Sequence, residues 1–250
     1  SPRILVEQYI DGAEYSVEGF IKPGGETVFL SITRKLLGNE PWFVELGHIV
    51  NDKLDDAVSR EIKIYVGDVI HALGLTVGPF HAEIRLNRQD GKPYLMEIGA
   101  RLAGDHICEL IHLATGVDLP EVAVRCALGE PGLPAGPVFQ RSAGIAFFCR
   151  VPGKKEQAER ALKELPGFHQ FELYPNAVGH ETPQDFSHRA GYVLFSGSTP
   201  EEVSNRLQQA LQFLQMLHGA DPRVRTTETA MALELLAEAG YLSPEHAELL

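Results

Sequence analysis

FHAEIRLNRQDGKPYLMEIGAR, residues 80–101, reads as one antiparallel hairpin. Two strand-like runs, FHAEIRL (80–86) and PYLMEIGAR (93–101), flank Asp90-Gly91, a dipeptide that tolerates the positive φ a tight reversal needs. Glu83 and Glu97 lie symmetrically about position 90, so folding there sets them opposite each other. The two-residue period of a strand then puts both on one face. Carboxylates held that close repel and call for a cation. A hard divalent ion such as Mg²⁺ or Mn²⁺ suits them, because it takes carboxylate oxygens and keeps positions open for phosphate oxygens. The plain alternative is that both side chains face water from the open side of a sheet.

Around the hairpin the chain reads as an antiparallel sheet with packed helices. ILVEQYI (4–10), a turn at Asp11-Gly12, EYSVEGFI (14–21), a turn at Pro23-Gly24-Gly25 and TVFLSITRKL (27–36) form successive strands. Residues 53–74 carry apolar side chains at helical spacing and stop at Gly74. After the hairpin, GDHICELIHLATG (104–116) reads as a helix closed by Gly116, and Asp118 with Pro120 opens another that runs to about Leu128.

The composition then changes. GEPGLPAGP (129–137) concentrates prolines and glycines and marks a boundary. Beyond it, AGIAFFCRV (143–151), KKEQAERALKEL (154–165), FHQFELY (168–174), AGYVLFSG (190–197) and PEEVSNRLQQALQFLQML (200–217) spell βαββα. The stretch 227–250 reads as two short helices broken at Gly240-Tyr241. The expected fold class is α+β, with a first domain over 1–130, a small α+β domain over 138–226 and a helical tail over 227–250.

With 250 residues and 44% hydrophobic content the chain can bury a substantial core. Its net charge of -12 speaks against general binding to nucleic acids or anionic membranes, which demand clustered Lys and Arg. Anionic ligands must be met locally. Cys108, Cys126 and Cys149 are widely spaced in apolar stretches, which fits neither a zinc cluster nor a disulfide framework and points to a reduced, cytoplasmic setting. No apolar run approaches the roughly 20 residues that span a bilayer. The chain begins Ser1-Pro2 and enters at once into a strand-like run, so an earlier part of the domain is expected to precede it.

Small residues surround one arginine directly after the hairpin, in Ile98-Gly99-Ala100-Arg101-Leu102-Ala103-Gly104. They permit a ligand to approach the backbone, and a guanidinium there can grip a carboxylate or phosphate with two bonds. Arg101 in a structural ion pair is the simpler reading. Arg85 shares the face of Glu83 by alternation and either meets phosphate or neutralises the glutamates. His71, His112 and His218 fall within helical patterns without metal-ligand spacing. No G-x-S-x-G, phosphate-loop or G-x-G-x-x-G motif occurs.

The ordered set VEQYIDGAEYSVEGF (6–20), ITRK (32–35), FVELGH (43–48), FHAEIRL and YLMEIGARLAGD (94–105) resembles the C-terminal lobe of ATP-grasp ligases, most closely L-amino-acid ligases and carnosine synthases. The likeness covers roughly residues 4–129, and the βαββα unit resembles the small C-terminal domain of those enzymes. It implies ATP and Mg²⁺ (or Mn²⁺) as cofactors, with Glu83 and Glu97 as metal ligands. It also implies a hinge over the adenine formed by Glu7, Gln8, Tyr9 and Ile10, with Glu14 on the ribose side. Phe43–His48 resembles a loop that meets the amino acid, where Glu45 would hold an ammonium beside His48. Arg101 would grip the substrate carboxylate or its acyl-phosphate.

Gly104-Asp105 adjoins that pocket, and Asp105 stands where the L-amino-acid ligases carry a bulky aromatic. A carboxylate there implies a substrate with a polar or cationic side chain, or else an N-cap for the following helix. The Gly-rich phosphate loop and lysines of the family lie before the hinge and do not occur in this sequence, so the isolated chain is expected to be inactive. Its expected partners are amino-acid substrates and a preceding half of the same enzyme or a complementary chain, with a homodimer left open. The implied reaction joins amino acids through an acyl-phosphate. The alternatives are an ATP-grasp ligase of the purine or biotin-carboxylase type and a non-catalytic binding or assembly module.

Overall fold

A computed structural model describes residues 4–175, 177–180 and 183–217. Its elements, in chain order, are strands β1 (Gly12–Ile21), β2 (Thr27–Leu37) and β3 (Glu45–Val50), helix α1 (Asp56–Ala72), and strands β4 (Gly78–Asn87) and β5 (Pro93–Gly99). Helices α2 (Ile107–Thr115) and α3 (Leu119–Leu128) follow, then β6 (Ser142–Phe148), α4 (Lys155–Lys163), β7 (Phe168–Leu173), β8 (Gly191–Gly197) and α5 (Pro200–Leu217). The chain divides into two compact units, one made of the residues up to Lys35 with Asp52–Val138, the other of Leu36–Asn51 with the chain from Phe139 onward. The fold class is α+β with antiparallel strands.

In the first unit the strand order is β5-β4-β1-β2, all antiparallel. Alternation divides the side chains of this sheet sharply. Tyr15, Val17, Ile21, Phe80, Ala82 and Ile84 form a buried apolar face against Ile62, Val66 and Ile70 of α1. Burying each Val, Ile or Phe of this set contributes about 1.5–3 kcal/mol. Asp55 caps α1 by accepting from the Ala57 amide at 2.8 Å, and Gly74 follows the last turn with a φ of +69°. The opposite face is polar, carrying Glu14, Ser16 and Glu18 from β1, Ser31, Thr33 and Lys35 from β2, and His81, Glu83 and Arg85 from β4. That face holds the candidate site.

The second unit has strand order β3-β6-β8-β7. The expected βαββα order holds over β6-α4-β7-β8-α5. Its core packs Ile49, Phe148, Leu162, Val193 and Phe195 with Val203, Leu207, Phe213 and Leu214 of α5. A methyl group added at Gly144 would lie 2.7 Å from Val203 Cγ1, so the glycine is what lets α5 sit this close to β6.

Three expectations change. Residues 4–10 form no strand among the described residues, and Ile4, Leu5 and Val6 are 80–87% exposed; strand-forming side chains without a neighbouring strand have no ladder to join. Residues 45–48 belong to a strand rather than a loop, because β3 pairs with β6 from Gly47↔Ala146 to Val50↔Ala143. Helix α2 is not capped by Asp105: its N-cap residue is His106, in the left-handed region at φ 62° with no side-chain cap bond. The expected helices of 227–250 and His218 lie outside the described residues, and His71 and His112 are exposed on α1 and α2.

Candidate active site

The hairpin reverses at Asp90-Gly91, where its sequence places the turn. Glu83 of β4 pairs directly with Glu97 of β5, in register with His81↔Gly99. The register shifts by one after Glu83, where Ile84 faces Leu95, so a bulge sits beside the glutamate pair. At the turn, Gly91 takes a φ of +69° and Asp90 accepts from the Lys92 amide at 3.0 Å and the Tyr94 hydroxyl at 2.9 Å.

The two carboxylates do not stand as bare like charges. Glu83 Oε1 lies 3.0 Å from Lys35 Nζ and 3.2 Å from His81 Nε2. Glu97 Oε1 accepts from Arg101 Nη2 at 3.1 Å. The repulsion argument for a cation is therefore corrected: side chains already supply the counter-charge. What survives is more specific. Among the described residues the hydrogen bonds to both glutamates fall on Oε1, and Oε2 of each receives none. Burial raises the Ser16 hydroxyl's need for a partner too, since it is fully buried beside Glu83 in the β1–β4 register and has none. Carboxylate oxygens that receive no hydrogen bond and an orphaned hydroxyl are hard donors, which fits Mg²⁺ or Mn²⁺.

Behind Glu83 the polar face forms one ionic network. Glu14 lies between Lys35 Nζ at 2.9 Å and Arg85 Nε at 2.8 Å. Arg85 also donates to the Ile10 carbonyl at 3.1 Å and stands over the Tyr9 ring, 5.4 Å from its centre. Glu18, fully buried, accepts from Thr33 Oγ1 at 2.7 Å and contacts His81 Nδ1 at 3.0 Å. Three acids, Glu14, Glu18 and Glu83, thus face three bases, Lys35, Arg85 and His81. The sum closes on zero only if His81 is charged. Burial opposes that charge, but hydrogen bonds to Glu18 and Glu83 outweigh it and raise the His81 pKa to about 9. The same bond from His81, aided by Lys35, overcomes burial and lowers Glu83 to about 2.

The remaining expected site residues are placed as follows. Glu7 and Gln8 are exposed, Tyr9 is 56% exposed, and Ile10 is buried. Arg101 is half-exposed, donates to the Leu102 carbonyl as well as Glu97, and folds back so that a methyl group at Gly99 would meet its Cγ at 3.0 Å. Gly104 is exposed, and Asp105 is partly buried with a φ of 49°. In the second unit, Glu45 Oε2 lies 3.6 Å from His48 Nε2, and Arg189 donates to the Glu45 carbonyl at 3.0 Å while its guanidinium covers Phe147 at 4.0 Å. His48 is fully buried.

Lys35, His81, Glu18 and Thr33 were not among the expected site residues. Their signal was the polar alternation 14-16-18, 31-33-35 and 81-83-85, three strands that each keep one polar face.

Residues 1–109 match the ATP-grasp domain family. The crystal structure of an L-amino acid ligase from Bacillus licheniformis superposes with a TM-score of 0.68 at 25% identity, covering 81% of this chain and 53% of that one. Phosphoribosylglycinamide synthetase from Anaerococcus prevotii superposes at 0.64 with 14% identity, covering 82% and 53%, and shares the fold. Among curated sequences, the uncharacterized protein y4rH of Sinorhizobium fredii is 34% identical over 219 residues, 85% of this chain and 44% of that protein. Glu83, Glu97 and Arg101 all lie within the residues that match the ATP-grasp domain. The chain spans about half the length of the relatives it matches. Among the described residues no helix is long and apolar enough to cross a membrane.

Proposed function

We propose that this chain is the part of an ATP-dependent carboxylate–amine ligase, acting on amino acids, that holds the metal and the acyl group. The observation that carries the reading is the register-opposed pair Glu83 and Glu97, each hydrogen-bonded through one oxygen and not through the other, with Arg101 attached to the second. Mg²⁺ or Mn²⁺ held by these two carboxylates would neutralise the nucleotide phosphates. Lys35 and His81 keep Glu83 ionised at any physiological pH. Arg101, half-exposed at the strand-to-helix turn, can leave Glu97 for a substrate carboxylate and then stabilise the charge on its acyl-phosphate. The acyl-phosphate would arise as the carboxylate oxygen attacks the γ-phosphorus of ATP and ADP leaves; a neutral amino group would then attack the acyl carbon, losing a proton as inorganic phosphate departs, to give the amide. Glu45 offers the negative charge that an ammonium requires.

The amino-acid assignment is supported by the likeness to the Bacillus licheniformis ligase together with Arg101 and Asp105 after the glutamate hairpin. The test is ADP release by the complete polypeptide across a panel of free amino acids. We expect release with selected pairs, and its loss in Glu97→Gln with an unchanged circular dichroism spectrum. Retained turnover in that variant removes the metal role. Silence across the panel for the unaltered protein shifts the reading to a ligase with another acceptor, or to a non-catalytic module.

A further inference from the structure

Glu83 is the one member of the proposed metal pair that sits on a buried support, and the support has a definite order. Ser31 Oγ and Thr33 Oγ1 lie 2.9 Å apart, Thr33 donates to Glu18 Oε2 at 2.7 Å, Glu18 Oε1 meets His81 Nδ1 at 3.0 Å, and His81 Nε2 meets Glu83 Oε1 at 3.2 Å. Every member before Glu83 is buried, with Glu18 and Thr33 at 0%, Ser31 at 3% and His81 at 4%. The chain crosses from β2 through β1 to β4 in adjacent register, Glu18 facing Ser31 on one side and His81 on the other. Burying a carboxylate and an imidazole side by side is costly unless the bonds between them fix a geometry something else uses.

Resting on the metal reading above, we propose that His81, clamped by Glu18, is a positioning residue that holds Glu83 by Oε1 and so aims Oε2 at the metal. A carboxylate on a strand rotates about its side-chain torsions, and a single lysine would restrain it poorly because its ammonium has no directional preference. An imidazole held at both nitrogens has a fixed plane, so its Nε2 bond sets where Glu83 points. Among the described residues Glu97 has no such anchor, only the half-exposed Arg101. The two ligands therefore differ in kind: Glu83 is preset, and Glu97 is free to follow the metal.

The positioning role and mere charge balance predict opposite signs. If His81 only neutralises Glu83, removing its charge makes the carboxylate a better cation ligand and tightens metal binding. If it positions Glu83, removal loosens binding, by the roughly 10–100-fold typical of groups that orient a metal ligand.

The experiment is a Mn²⁺ titration of the complete polypeptide with ATP, followed by electron paramagnetic resonance, on the unaltered protein and on His81→Gln, Glu18→Gln, Glu83→Gln and Glu97→Gln. We expect binding in the unaltered protein, its loss in both glutamate variants of the pair, a weakening of at least tenfold in His81→Gln, and a smaller weakening in Glu18→Gln. Glu18→Gln keeps an acceptor for His81 and reads the same linkage if His81→Gln fails to give a cooperative thermal transition. Unchanged or tighter Mn²⁺ binding in folded His81→Gln or Glu18→Gln, with loss in Glu83→Gln, overturns the positioning role and leaves the metal reading standing. Binding unaffected by Glu83→Gln and Glu97→Gln overturns both.

Discussion

Asp105 and His106 adopt consecutive positive φ angles of 49° and 62°. Such backbone costs a residue with a side chain about 1–3 kcal/mol, and it collects where a site rather than stability selects the residue. Asp tolerates the left-handed region better than most, and Asn shares that tolerance. Asp105→Asn therefore separates the charge from the backbone. We expect its thermal stability to stay within about 0.5 kcal/mol of the parent, as for changes that break no packing or cap. Turnover with basic amino acids should fall about 10–100-fold, since a bond to a charged group contributes about 1.5–3 kcal/mol, while neutral amino acids are spared. An unchanged substrate profile with a lower melting temperature assigns Asp105 to structure alone. The aspartate was visible in the sequence as a departure from the resembling ligases. Its displacement from the cap was not, because the helix begins one residue later than the capping rule places it.

At the scale of the elements, the hairpin was the most legible part of the chain. Its turn dipeptide placed the reversal, but the register that runs from the turn, Leu86↔Pro93 to Ile84↔Leu95, would set Glu83 against Met96, and the bulge after Glu83, which no local motif announced, is what brings Glu97 opposite it. The network behind it was harder to read, because Lys35, Glu18 and His81 are brought together by strand pairings that no local motif encodes. That network makes the first unit sensitive to pH in a defined direction. The His81 pKa is raised from 6.5 to about 9, so its contribution to stability is fully present below pH 6.5 and is lost as pH rises through about 9. Glu83 is lowered from 4.5 to about 2, so its contribution is complete above pH 4.5 and is lost only as pH falls toward 2. In metal-free protein kept in chelator, stability should therefore hold a plateau between pH 4.5 and 6.5 with respect to these groups. It should then decline toward pH 9, and the decline should flatten in His81→Gln. The charged groups facing the imidazole are Glu18 of β1 and Glu83 of β4, and Lys35 of β2 shares Glu83 Oε1 with it. A denaturant series at five pH values measures the decline; an identical slope in both proteins would detach it from His81.

At the scale of the whole chain, the proline- and glycine-rich stretch 129–137 announced a boundary, and the second unit resumes at Phe139. What no local pattern announced is that Leu36–Asn51 belongs with the residues after it. The reason is a pairing between β3 and β6 across nearly a hundred positions of sequence, His48↔Ile145 and Ile49↔Gly144 among its contacts. Such a long-range ladder leaves the same alternating signature as a strand that pairs locally. The pairing buries His48, Ile49 and Val50 completely, and it is supplied from beyond Val138. A polypeptide ending at Val138 must therefore expose this strand along the edge that β6 covers, with that ladder open to water. We expect limited proteolysis of that polypeptide to cut first within 36–51. The α1 core of Ile62, Val66 and Ile70 against Val17, Phe80 and Ile84 contains no residue from beyond the cut and should resist longer. In the uncut chain β3, Glu45–Val50, should be among the last stretches to be cleaved. Mass spectrometry of the early fragments decides it, and first cleavage within 56–72 instead would show that residues 36–51 keep their protection without β6.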